Sequence, residues 1–311
     1  MSASPSCGTV ETVIPLFFFL FGICIGSFLN VCITRIPEGI SVISPGSRCP
    51  RCEMPIKPYD NIPVFGWLFL RGKCRNCGLP ISPMYPIIEF LTGAIFVLTY
   101  YEFGVTFLTL KWLILSCLII TLTVTDLRVR LLPDAVTFPG ATLGLLLSFL
   151  ITIYDPTAGT LYYCAFHRLP PYPGVVFNVL NSVLGLLLGS LLLWGAAAAY
   201  KLVRKREGMG FGDVKMMAMV GAFLGPRGAF LTILVGTLLG SIVGLSWIAL
   251  LYLYGWKRKL AERAARRGLG SVSNLRWAIV SQYQLPLGTF LGVGAMGVVY
   301  LVPSLLDLFL R

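Results

Sequence analysis

Charge is scarce in this chain. Only 12% of its 311 residues are Asp, Glu, Lys or Arg, against about a quarter in an ordinary soluble domain, which excludes a conventional soluble globular fold. Histidine is scarcer still, with His167 alone. One histidine cannot build an HExxH zinc site, and its place in a loop on the opposite side from the inner candidate residues excludes a Ser/His/Asp triad among them. No GxGxxG or Walker-type phosphate loop, fixed-period repeat or low-complexity tract is visible. Met1 to Thr12 hold no Lys or Arg, so the cationic start of a cleavable signal peptide is missing and the first apolar segment is expected to stay.

What fills the chain instead is apolar. Hydrophobic residues make up 56% and the mean hydropathy is +0.82. Runs near the ~20 residues that cross ~30 Å of hydrocarbon place spans at 13–33, 84–103, 107–125, 134–154, 175–200, 229–254 and 285–306. Asp213 to Leu224 is too short to cross unaided. It is followed by Pro226-Arg227-Gly228, and it reads as a short crossing helix or as a re-entrant hairpin. With the N terminus outside and all eight segments crossing, every Lys and Arg except Lys111, Arg168, Arg227 and Arg311 falls on the inner side, as the positive-inside rule requires. The net charge of +12 is therefore a topology signal rather than a nucleic-acid footprint.

Cys49-Pro-Arg-Cys52 and Cys74-Arg-Asn-Cys77 form two CxxC knuckles at a spacing that reads as a four-cysteine zinc site. Their inner, reducing side argues against disulfides; the bland alternative is a redox or vestigial pair of knuckles. Four protein thiolates leave no open position, so such a zinc would be structural, and it would supply the folding energy that a loop of this size cannot obtain from a core. Nearby backbone N–H groups and the flanking Arg48, Arg51, Lys73 and Arg75 are expected to ease the thiolate charge. Between the knuckles, the apolar stretch Asn61 to Leu70 is expected to fill the core of this module, with a position on the bilayer as the alternative. Cys7 and Cys164, on the outer side, are candidates for a disulfide.

Only 13 residues are acidic, and most fall in polar loops where solvation accounts for them. Glu89, Asp126, Asp134 and Asp213 remain, all near the inner membrane boundary, where a carboxylate marks a functional site. Asp134 follows Pro133 at a helix start, and N-capping explains it. Asp126 ends an apolar helix, where the dipole disfavours negative charge, so a structural role would require Arg128 or Arg130 as partner. Asp213 could also cap a helix, but Gly208, Gly210 and Gly212 before it suggest the close approach of another backbone. If Asp126 and Asp213 share a site, repulsion and desolvation leave one protonated and one ionised. The ionised member can draw a proton from a water that attacks a peptide carbonyl, while its partner donates. The competing class is a transporter that uses paired Asp for H⁺ or Na⁺, but the inverted repeats that would support it are not visible.

Taken together, these residues resemble the type IV prepilin peptidases of bacterial pilus and type II secretion systems. The resemblance runs through Gly26-Ser-Phe-Leu-Asn-Val31, Arg35-Ile-Pro37, both knuckles, Asn61-Ile-Pro63, Arg71-Gly72, Tyr85-Pro-Ile-Ile-Glu89, Asp126 with Leu132-Pro-Asp134, and Gly210-Phe-Gly-Asp-Val-Lys215. It implies Asp126 and Asp213 as the catalytic pair and Cys49, Cys52, Cys74 and Cys77 as zinc ligands. It also implies prepilin and pseudopilin substrates, whose short basic leader is cut after Gly at the cytoplasmic face of the inner membrane. The cysteine loop implies N-methylation from S-adenosylmethionine as well, with Gly93, after Glu89, indicated for methyl transfer. The expected architecture is all-α: about eight transmembrane helices with a small cytoplasmic zinc-type module. Residues 1–33 would form the outer N terminus and first helix, 34–83 the zinc module and 84–311 the peptidase core in the lipid bilayer.

Overall fold

A computed structural model describes residues 5–151, 174–205, 209–253 and 286–301, with side chains for these except residues 5–12, 248 and 250–253. His167, the side chain of Cys7, Cys164, Gly208 and the loops 155–173 and 257–276 lie outside the described residues. The chain forms α1 (Pro5–Arg35), a short α2 (Phe65–Phe69), α3 (Met84–Phe103), α4 (Phe107–Val129), α5 (Asp134–Ser148), α6 (Val175–Arg204), α7 (Phe211–Leu253) and α8 (Leu287–Tyr300). No strand is present among the described residues; two isolated bridges occur in the cysteine loop. Five helices are long and apolar enough to cross a membrane, and α8 is a shorter apolar one. The helix α1 begins at Pro5 rather than Val13, since extending an existing helix into polar sequence costs little once its first turn is made.

The helix α7 holds two arms. Its backbone breaks at Gly225 (φ 76°, ψ 179°), a conformation open only to glycine, and Pro226 then starts the second arm. The arms fold back on one another: a Cβ placed at Gly189 of α6 would lie 2.5 Å from the carbonyl oxygen of Met217 and 3.5 Å from Cβ of Ala229. In one straight helix those two residues would stand about 18 Å apart. The reversal is thus made at Gly225, ahead of the turn that Pro226 to Gly228 suggests.

The first arm is the centre of the molecule. Met216, Met217, Met219 and Val220 are wholly buried, enclosed by Leu115, Ile119 and Leu122 of α4, Val136 of α5, Leu193 of α6 and Leu291 and Ala295 of α8. A helix apolar on every side belongs in such a position. Protein rather than lipid surrounds it, so its shortness leaves no backbone facing hydrocarbon. The pair α1 and α3 packs beside this core, with Gly22 and Gly26 against Gly93 and Glu89, small residues four apart that let two helices approach. The end of α1, the starts of α3, α5, α7 and α8 and the ends of α4 and α6 gather at one end of the bundle, which carries Arg35, Arg128, Arg130, Lys201, Arg204 and Lys215.

Candidate active site

Asp126 sits in the last turn of α4 and Asp213 in the first turn of α7, only 6% and 8% exposed. The element that joins them is the start of α8. A Cβ placed at Gly288 would lie 3.0 Å from Oδ2 of Asp126 and 3.1 Å from Oδ1 of Asp213, so the two oxygens are separated by no more than those two lengths end to end. A side chain at position 288 would press on both carboxylates, and Gly288 avoids that by having none.

Asp126 is held by Thr289. The Thr289 backbone N–H donates to Oδ2 at 2.8 Å and the Thr289 hydroxyl donates to the same oxygen at 3.0 Å. Arg128 and Arg130 are exposed and their side chains give the Asp126 carboxylate no hydrogen bond; Arg130 instead closes α4 in the left-handed conformation, its backbone N–H on the Asp126 carbonyl oxygen. Asp213 receives no side-chain hydrogen bond among the described residues. Thr289 escapes sequence reasoning, because no spacing rule links residues 126 and 289. The only signal is a hydroxyl beside Pro286-Leu-Gly at the start of an apolar helix.

Of the glycines before Asp213, Gly210 and Gly212 do not receive another backbone. Gly212 lies under the side chain of Leu132, 3.0 Å from a Cβ placed there, and nothing crowds Gly210. Leu132 also reaches Gly288, so it covers the dyad from the side of the α4–α5 connection. An open groove of about 420 Å³ adjoins it, lined by Ile36, Pro37, Leu131, Leu132, Pro133, Asp134 and Ala135.

Asp134 does not cap α5. Pro133 holds the cap position and no side-chain cap bond forms; the Asp134 carboxylate instead receives Lys215 Nζ at 2.7 and 2.8 Å. The lysine also lies over the rings of Phe138 and Phe211, at 5.2 and 5.3 Å. The charge of Lys215 outcompetes the weaker N–H donors that a cap would use.

The four cysteines converge. Their Sγ atoms all lie within 4.8 Å of one another, and Cys49 and Cys77 are 3.9 Å apart, close to the ~3.8 Å edge of a tetrahedron with Zn–S bonds of ~2.3 Å. Each knuckle repeats the same turn: Cys49 N–H to Met54 and Glu53 N–H to Cys49 in one, Cys74 N–H to Leu79 and Gly78 N–H to Cys74 in the other. The donor set and its geometry fit zinc. Thiolate charge is eased mainly by local N–H groups rather than by the basic flanks. Those of Cys77 and Asn76 draw the Cys74 thiol down to about 7, and Met54 N–H and the Asn76 amide lower Cys52. Arg75 turns to Asp60, with which it forms a two-point pair at 2.6 and 2.8 Å, and so holds that carboxyl below its usual range.

Only part of the apolar stretch 61–70 enters the module. Trp67 donates to the Ile81 carbonyl and covers Gly72, and Gly66 is buried with Pro63, Val64 and Leu70 half-buried, whereas Phe65, Leu68 and Phe69 are exposed. Glu89, buried at the α1–α3 crossing, accepts the Val64 N–H at 2.7 Å and ties the module to the bundle. Gly93 lies one turn further along that crossing. A Cβ there would meet Ile23 at 2.7 Å and Phe19 at 3.0 Å, so Gly93 is buried where α1 packs on α3.

Two family models cover the regions that this geometry singles out. The bacterial peptidase A24 N-terminal domain matches residues 20–103, and the type IV leader peptidase family matches residues 113–245. Among curated proteins, a prepilin leader peptidase/N-methyltransferase of Klebsiella pneumoniae is 40% identical over 215 residues, 67% of this chain and 84% of that protein. Proteins of the same name from Myxococcus xanthus and Neisseria gonorrhoeae are 35% and 33% identical, over 79% and 73% of this chain and 66% and 79% of their own lengths. No solved structure matches.

Proposed function

The chain belongs to the type IV leader peptidase family, and from that premise we propose that it is a membrane-embedded aspartyl endopeptidase for type IV prepilins and pseudopilins. It removes their short basic leader after Gly and then methylates the new N terminus from S-adenosylmethionine. The observation that carries the peptidase reading is the meeting of Asp126 and Asp213, two buried carboxylates from distant helices that both lie against Gly288. Two such groups close together share a proton. The ionised member takes a proton from the water between them, the water oxygen bonds to the scissile carbonyl carbon, and the protonated member donates to the carbonyl oxygen.

The basic end faces the cytoplasm of a bacterial inner membrane, in keeping with the positive-inside rule. That places the dyad where a leader emerges ahead of the substrate's own apolar helix. Cys49, Cys52, Cys74 and Cys77 would hold a structural zinc, whose closed coordination supplies folding energy and no reacting water. S-adenosylmethionine supplies the methyl group when bound. Gly93 supports that reaction by letting α1 seat on α3, where Glu89 in turn seats the cysteine module.

Incubating the purified protein in lipid with a prepilin and S-adenosylmethionine, then weighing the products, tests both activities. Wild type yields leader loss and a methyl gain. Asp126→Asn and Asp213→Asn each abolish cleavage with normal expression and zinc content, and the double variant is no worse than either single one, because the pair acts as a unit. Cleavage at near wild-type rate by either Asn variant refutes the aspartyl mechanism.

A further inference from the structure

The hydrogen bonds at the start of α8 distinguish the two aspartates, and we infer that Thr289 is a positioning residue that makes Asp126 the proton acceptor and leaves Asp213 as the proton donor. The inference rests on the dyad reading above and deepens it. Two donors converge on one oxygen, Asp126 Oδ2: the Thr289 N–H at 2.8 Å and the Thr289 hydroxyl at 3.0 Å. The N–H is one of the donors that a helix start cannot satisfy internally. The hydroxyl has a second acceptor in reach, the Thr123 carbonyl, but at 3.4 Å; the shorter contact takes its proton. A proton on Oδ2 would face both donors, so this oxygen remains an acceptor and the α8 N terminus steadies its charge.

Asp213 has no matching support. No side-chain hydrogen bond to its carboxylate occurs among the described residues, and Asp126 stands across the gap. The first turn of α7 also lends Asp213 a favourable dipole, yet direct hydrogen bonds to a charged group outweigh a dipole field. The division of labour closes chemically. Water gives a proton to Asp126 Oδ1 and its oxygen bonds to the carbonyl carbon, while the Asp213 proton goes to the carbonyl oxygen, forming a neutral gem-diol. The C–N bond then breaks as the Asp126 proton passes to the leaving nitrogen and a diol proton returns to Asp213. Both carboxyls end as they began.

The test measures kcat and KM for a synthetic prepilin peptide with the full-length protein in lipid nanodiscs. Thr289→Val removes the hydroxyl and keeps the shape; it is expected to lower kcat about ten- to a hundredfold while KM stays within about twofold and the melting temperature is unchanged. Thr289→Ser restores the donor and is expected to recover to within about threefold of wild type. Should Thr289→Val not fold, Thr289→Ala, which deletes the hydroxyl without added bulk, is read by the same criteria. A hydroxyl-free variant that cleaves at wild-type rate, or a Ser variant as slow as Val, overturns the inference. Asp126→Asn and Asp213→Asn in the same assay separate the claims: an active Asn variant defeats the dyad itself, whereas inactive Asn variants beside a fully active Thr289→Val defeat only the role of Thr289.

Discussion

At the scale of single residues, the surroundings of each carboxylate decide what it does. Asp134 and Asp213 both stand at helix starts, and both lie near Lys215, yet only Asp134 is 57% exposed and ion-paired, while Asp213 is buried without such a partner. The sequence admits either as companion to Asp126; burial separates them. An ion pair this open is worth about 0–1 kcal/mol, so Asp134→Asn is expected to leave cleavage within about threefold of wild type. Lys215→Gln costs more, about 1–2 kcal/mol, because it also removes the contacts over Phe138 and Phe211. Thermal melting beside the peptide assay checks the order: a larger loss for Asp134→Asn than for Lys215→Gln would mean that the clasp is not what Lys215 contributes.

At the scale of elements, the cysteine module and the bundle are joined at few points, and that makes them separable. With only a small apolar centre around Trp67, the module depends on its knuckles, the Asp60–Arg75 pair and the Glu89–Val64 bond. Replacing all four cysteines by Ser, or stripping metal with chelator, is expected to remove one zinc per chain and unfold residues 34–83 while the dyad helices persist. Metal analysis with limited proteolysis reads both, and a zinc-free preparation with an intact module would defeat it. The crossing of α1 on α3 is the other joint. Gly93→Trp would force Phe19 and Ile23 aside, displacing α1 and with it the seat of Glu89. It is expected to depress methyl transfer while leader removal, which depends on α4, α7 and α8, continues; equal loss of both in a folded protein would place the methyl-transfer machinery elsewhere.

At the scale of the whole molecule, the reversal of α7 at Gly225 sets the topology, since it turns one long apolar stretch into two crossings and brings α8 back to the basic end. Single cysteines introduced at Arg130 and Lys205 are expected to react with an impermeant thiol reagent from the cytoplasmic side of inverted membrane vesicles, and one at Gly104 from the opposite side. Labelling of all three from one side would contradict the layout. The apolar runs and the paired CxxC knuckles made the helical membrane class, the longer apolar helices and the four-cysteine cluster legible from sequence alone, because hydropathy and thiol spacing act locally and need no partner to be recognised. Asp126 and Asp213 were legible as candidates for the same reason: a carboxylate in an apolar segment is costly wherever it ends up. Tertiary structure alone decided that Gly288 lies against both carboxylates and Thr289 hydrogen-bonds Asp126, that Lys215 claims Asp134, that Glu89 holds the module and that Phe65, Leu68 and Phe69 stay outside its core. Each of these depends on which helix faces which across the bundle, and packing fixes that through contacts between residues far apart in the chain.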